Sequence, residues 1–337
     1  MSNDYRIIGA EESPYSVKVR SYLRYKKLPH QWLTRSEAPD LYQQHARLPL
    51  IPLLVTPEQE GLQDSTPIIE TLEAQHPQPA IHPDDPVSAF VSALLEEFGD
   101  EWGNKWMFHY RWAREIDQIA CSRRLATIMA PDASAKALEE AAISIRERMV
   151  NRVWFVGSSP GTTRQIEDSF KDTLALLEPH LADRPYLFGG RPAFADFGLW
   201  GQLYNAHRDP TPKGIIEIQA PNTLRWIERM LDPSAEGEFE PWADLAPSLT
   251  PLLTDQVGGL FLPWSAANAR AVEEDAESFE VALRGDPWYQ KPQKYHARSL
   301  AALQGRYQAV RDRQALDAAL AETGCVQFLG PVAQLRQ

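Results

Sequence analysis

Apolar and polar positions change period along this chain, and the change divides it. Tyr5-Arg6-Ile7-Ile8-Gly9 is a short apolar run that predicts a strand, and the amphipathic stretch Tyr15 to Lys27 predicts a helix. Gln31-Trp32-Leu33-Thr34 predicts a second strand, and Asp40-Leu41-Tyr42-Gln43-Gln44 a short helix. In Leu50-Ile51-Pro52-Leu53-Leu54-Val55 a proline interrupts an apolar run. Proline cannot donate to a ladder, so Pro52 belongs at a strand's first residue or at an edge. Gly61-Leu62-Gln63 predicts a last strand, and Asp64-Ser65-Thr66 before Pro67-Ile68-Ile69-Glu70 a capped helix start.

The proline-studded run from His76 to Pro86 reads as a linker. Beyond it the period is helical: Val87 to Met129, Ala133 to Arg152, Thr163 to Leu181, Ala193 to His207 and Thr223 to Leu231, with shorter signals from Trp242 to Ala271. A hairpin, Phe279 to Leu283 turning at Arg284-Gly285-Asp286 into Trp288 to Gln290, precedes closing helices Tyr295–Arg311 and Arg313–Glu322. The expected organisation is an α/β domain over 1–80, an all-helical domain over 87–250 and an extension over 251–337.

Composition narrows the function classes. With 337 residues, 43% hydrophobic and 24% charged, the chain reads as an ordinary globular protein. A net charge of −12 argues against a nucleic-acid partner. No apolar run approaches the roughly 20 residues needed to span a bilayer, and the opening Met1-Ser2-Asn3-Asp4-Tyr5 is unlike a signal peptide. Cys121 and Cys325 stand far apart, without metal-site or disulfide spacing. A cytoplasmic setting and no metal are expected.

The stretch Ser13-Pro14-Tyr15-Ser16-Val17-Lys18-Val19-Arg20 carries the candidate chemistry. Proline suits a first helical position, where its missing N–H would have no partner anyway. A helix start exposes N–H groups and a partial positive charge, which favour an anion such as a thiolate. Ser13 is the first candidate for a hydroxyl facing sulfur, with Tyr15 and Ser16 behind it; the alternative is that Ser13 only caps the helix. Glu11 and Glu12 count against activation, because carboxylates beside a thiolate raise its pKa.

An α/β unit of this order before a helical domain resembles the glutathione S-transferase superfamily. The resemblance rests on Ser13-Pro14-Tyr15-Ser16, Ile51-Pro52-Leu53, Asp64 to Glu70, and Gly190-Arg191-Pro192-Ala193-Phe194-Ala195-Asp196-Phe197, across roughly residues 5 to 230. It implies a thioredoxin-like amino-terminal domain and an all-α carboxyl-terminal domain. The first motif is also similar to the Cys-Pro-Phe-Cys-x-Lys-Val-Arg run of prostaglandin E synthase type 2 and its glutaredoxin-like relatives. Here both cysteine positions are serine, Ser13 and Ser16. Thiol–disulfide exchange needs a protein thiolate, so the resemblance favours serine-type members such as the tau and theta classes.

The resemblance implies glutathione as co-substrate, an apolar electrophile, detoxification as the setting and a homodimer. Glutathione brings its own nucleophile, and lowering a thiol pKa near 8.5 by about two units needs about 2.7 kcal/mol of preferential stabilisation. The resemblance further implies that Ile51, before a cis Pro52, meets the cysteinyl backbone. Ser65 would take the γ-glutamyl carboxylate, Asp64 would approach its amino group, and Gln43 or Gln44 would reach the glycine end. Tyr15, Trp102, Trp106 and His109 are the electrophile-pocket candidates. The alternative for the last three is an aromatic helix buried between neighbours. Asp196 is expected to bond back to the cap of its helix, where Ala193 lacks a capping hydroxyl. A catalytically silent binding or scaffold protein and a glutathione-dependent reductase or isomerase are the alternative functions.

Overall fold

The computed structural model describes residues 4–330; residues 1–3 of the opening segment and 331–337 of the expected extension lie outside the described residues. Strands β1 (Tyr5–Ile8), β2 (His30–Leu33), β3 (Leu53–Val55) and β4 (Gly61–Gln63) form one sheet in the order β2-β1-β3-β4. β1 pairs parallel with β2, and β3 antiparallel with both β1 and β4. Alternation along the strands divides their side chains between two faces. Ile7 and Leu54 enter the main core with helices α1 (Pro14–Tyr25) and α3 (Ser65–Gln75), while Ile8, Leu53 and Val55 pack against Tyr42 of α2 (Pro39–His45). This is a thioredoxin-like domain with a mixed sheet, followed by a helical domain.

The helices beyond it are α4 (Pro86–Phe98), α5 (Asn104–Ala113), α6 (Glu115–Met129), α7 (Ala135–Val150), α8 (Thr163–His180), α9 (Phe194–His207), α10 (Pro210–Gln219) and α11 (Pro221–Arg229). Then come α12 (Trp242–Leu252), α13 (Leu262–Glu273), a hairpin of β5 (Phe279–Leu283) and β6 (Asp286–Gln290), α14 (Lys294–Ala309), α15 (Arg313–Leu320) and α16 (Val326–Leu329). The stretch Val87 to Met129 is not one helix, as its period suggests. A π-helical turn, Gly99–Gly103, joins α4 to α5, and Arg114 is extended between α5 and α6 (φ −120°, ψ 141°). Periodicity reports which face is buried, not the partner that buries it. At Arg114 the guanidinium bonds Glu167 of α8 and covers the Tyr110 ring, which turns the chain away.

Central α9 is apolar around its circumference and packs on α1, α4 and α5. Its Asp196 accepts from the N–H of Ala193 (2.8 Å), the N–H of Leu187 (2.9 Å) and Trp226 Nε1 (2.8 Å). The carboxylate thus stands in for half of a capping box, and the half a cap hydroxyl would supply is missing at Ala193. A Cβ on Gly201 of α9 would lie 2.7 Å from the carbonyl oxygen of Pro14, so this glycine permits the close approach of α9 to the mouth of α1.

Candidate active site

Sheet register draws the sequence motifs together. Leu53 pairs with Ile8 on one side and Gln63 on the other. The residues flanking that row, Gly9, Pro52 and Asp64, therefore share one edge of the sheet. Gly9 leads to the mouth of α1, the Ile51–Pro52 peptide is cis, and Asp64 opens α3.

Ser13 is the N-cap of α1. Its Oγ accepts from the N–H of Ser16 at 3.3 Å, and its own O–H proton stays available for donation. The capping role and a sulfur-facing role are compatible. Tyr15 is half-buried, and its hydroxyl donates to the carbonyl of Asp100 at 3.0 Å. Burial, then the Asp100 and Asp64 charges, push that phenol well above its usual range, so it stays protonated. Ser16 is fully buried, and a Cβ on Gly9 would lie 2.8 Å from its Cβ. The Ser16 hydroxyl has no hydrogen-bond partner among the described residues and lies against Gly9 at the end of β1.

Glu11 and Glu12 neither face open solvent nor stand as free charges beside the helix mouth. Glu11 bonds Arg20 (2.6 Å) and Tyr204 (2.5 Å). Glu12 is buried among Arg111 (3.3 Å), Arg124 (2.9 Å) and Arg208 (2.8 Å), and Asp209 shares Arg111 and Arg124. Burial alone would raise the Glu12 pKa; the arginines outweigh it and hold the carboxyl at about 2.

A second charged cluster lies behind the mouths of α1 and α3. The fully buried Lys18 ammonium bonds Thr66 (3.0 Å), Asp100 (2.6 Å) and Glu96. Burial works against this ammonium, and the two carboxylates override it and raise its pKa. Asp100 is pushed up to about 7 by burial and the Glu96 charge, against the pull of Lys18. Glu97 is pushed well above the carboxylate range by burial and by Glu96 and Asp100. The carboxylates of this cluster face a cavity of about 260 Å³ whose walls include Asp64 and Thr66 of the α/β domain, Glu97 and Asp100 of the helical domain, and Tyr295 and Arg298 of α14. Asp64, in the left-handed region at φ 76°, accepts from the Tyr295 hydroxyl at 3.0 Å. Ser65 is buried at the first position of α3.

The other pocket candidates are elsewhere. Trp102 and Trp106 are fully buried, both donating indole N–H bonds to Ser169 Oγ (2.8 and 3.0 Å). His109 is buried between Ser158 (2.7 Å) and Glu167 (3.2 Å), and burial lowers its pKa. Trp102 of the π-helical turn and Trp106 and His109 of α5 pack toward α8, as the alternative reading has it, and none of the three lines the cavity bounded by Asp64 and Asp100. Gln43 and Gln44 are exposed on α2. Sequence reasoning missed Lys18, Glu96, Asp100, Tyr295 and Arg298. The available signal was a lysine inside a helix of apolar neighbours and a Glu-Glu-Phe-Gly-Asp-Glu run interrupting an apolar one.

Among the described residues, no helix is long and apolar enough to cross a membrane, and no His, Cys, Asp and Glu cluster could hold a metal ion. The family model for the glutathione S-transferase N-terminal domain matches residues 7–80, and that for the C-terminal domain matches residues 135–229. No curated protein sequence matches the chain. Among solved structures, a glutathione S-transferase from Methylobacterium radiotolerans in complex with glutathione sulfonate is 21% identical, covering 71% of this chain and 99% of that one (TM-score 0.39). The tau-class enzyme of mango, Mangifera indica, is 17% identical, covering 75% and 100% (TM-score 0.41). A glutathione S-transferase-like protein from Pseudomonas syringae is 18% identical, covering 74% of each chain (TM-score 0.43). The two family models together span half of the sequence, one matching the α/β domain and the other falling within the helical one, and on them the chain belongs to the glutathione S-transferase superfamily.

Proposed function

We propose that the protein binds glutathione at the sheet edge formed by Ser13, Ile51-Pro52 and Asp64-Ser65, and transfers its thiolate to an apolar electrophile. The observation that carries this reading is the register that sets Gly9, Pro52 and Asp64 side by side. It lines up a helix mouth with a free hydroxyl proton, an unladdered backbone and a second helix start. In this reading Ser13 donates to sulfur, and the positive end of α1 supports the thiolate. Ile51 meets the cysteinyl backbone, and Ser65 with the first N–H groups of α3 takes the γ-glutamyl carboxylate. Neutralisation of Glu11 and Glu12 by arginines removes the main objection to thiolate formation at this mouth. The same reading carries a homodimer, a cytoplasmic setting and a role in detoxification.

One observation favours a second reading, a silent binding protein: Trp102, Trp106 and His109 are locked in the core and leave the electrophile without the pocket assigned to it. A reductase finds no support. Cys121 and Cys325 are buried, their thiols pushed up to about 12 and about 11, and neither supplies a thiolate. Calorimetric titration with glutathione, paired with conjugation of an aryl halide, separates the readings. Heat with turnover is expected; heat without turnover selects the silent protein, and no heat at millimolar ligand removes glutathione altogether.

A further inference from the structure

The third wall of the cavity comes from α14, which lies beyond the segments matched by the family models. Its first turn is tied down at two points. Tyr295 donates to Asp64 at 3.0 Å, and His296 pairs with Glu101 while its ring packs edge-on against Trp264. Arg298, one turn from Lys294, brings a guanidinium to the cavity and makes no ion pair among the described residues.

Asp100, 6% exposed, lines the same cavity as Arg298. One of its carboxylate oxygens is committed to Lys18, and the other, Oδ1, has no hydrogen-bond partner. Glu97 Oε1, on the same wall, is also unpartnered. A buried carboxylate oxygen without a donor is costly, and an ammonium group is the donor that fits, since it brings three N–H bonds and the opposite charge. The cavity therefore offers both an ammonium acceptor, Asp100, and a carboxylate acceptor, Arg298. At about 260 Å³ it has room for an amino-acid head.

We propose that α14 completes the γ-glutamyl subsite from within the same chain: Asp100 receives the ammonium, Arg298 receives the α-carboxylate, and Tyr295 positions Asp64. This rests on glutathione being the ligand. Tyr295 acts through Asp64 and is a positioning residue; Asp100 and Arg298 meet the ligand and set its specificity.

The test compares the affinities of glutathione, glutaryl-cysteinyl-glycine (no ammonium) and 4-aminobutyryl-cysteinyl-glycine (no α-carboxylate) for the full-length protein. Arg298→Gln, at an exposed position, is expected to weaken glutathione about tenfold and to leave the analogue without the α-carboxylate unchanged. Asp100→Asn should weaken glutathione similarly and leave the analogue without the ammonium unchanged. Tyr295→Phe should lower the preference for glutathione over the analogue without the ammonium. Equal losses on all three ligands, or none, would overturn the subsite while leaving glutathione binding intact. If Asp100→Asn fails to fold, the Arg298→Gln ratios decide alone. No heat from glutathione with the unmodified protein would instead remove the proposed function, and the subsite with it.

Discussion

Ser13 carries two duties on one oxygen. Its lone pair caps α1 through the N–H of Ser16, and its proton is the one available to sulfur. Ser13→Ala is expected to cost about 1 kcal/mol of stability through the lost cap and to lower kcat for conjugation at least tenfold with glutathione affinity largely kept. An unchanged kcat would take the hydroxyl out of the chemistry. Glu12, 7% exposed among three arginines, is a buried charge whose loss leaves those cations uncompensated. Glu12→Gln should cost about 3–5 kcal/mol in urea denaturation. Its carboxyl pKa is depressed in the folded protein, so the stability it contributes is present above the ordinary carboxylate range. That contribution fades as pH falls from the ordinary carboxyl value of 4.5 to about 2. The variant should therefore show a flatter acid limb than the parent.

At the scale of elements, the contact of α1 with α9 depends on the missing side chain of Gly201. Alanine is the better helix former by about 1 kcal/mol. Its Cβ would nevertheless stand 2.7 Å from the Pro14 carbonyl oxygen, which is backbone and cannot rotate aside. Gly201→Ala should thus destabilise by about 1–3 kcal/mol, and chemical denaturation showing a gain would mean that α1 moves freely on α9. The strands, α1 and the start of α3 were legible because short apolar runs beside Pro14 and Pro67 leave few alternatives. The cis peptide at Pro52 was readable from the motif, and so was the Asp196 bond to the Ala193 cap. The π-helical turn was not, because Gly99 to Gly103 keeps the apolar face continuous while adding width to the helix. A Cβ on Gly99 would lie 2.7 Å from the backbone of Leu199, a constraint set by a helix a hundred positions away. The extended Arg114 escaped for the same reason: its partner Glu167 is distant in sequence. Tyr295 and Asp64, at opposite ends of the chain, share no local pattern.

At the scale of the whole molecule, the segment after α11 is part of the core. Trp288 of β6 is fully buried against Trp102 of the π-helical turn, and Lys105 lies 5.5 Å from its ring and 3.6 Å from that of Trp264. Trp288→Ala is expected to cost about 3–5 kcal/mol. Unfolding followed by far-ultraviolet dichroism and by tryptophan fluorescence should stay coincident, since hairpin and helices share one interior. Two separated transitions would show that the hairpin folds on its own.

The arginines around Glu12 have a further consequence. Arg111, Arg124 and Arg208 all come from the second domain, whereas the acid they neutralise lies just before the first helix. The α/β half expressed by itself would keep the Glu11–Arg20 pair but present the Glu12 carboxylate bare at the place meant for an anion. Its affinity for thiolate ligands would be poor even if its sheet formed correctly. The second domain is thus the counter-ion of the first, and the two are separable on paper but not in solution.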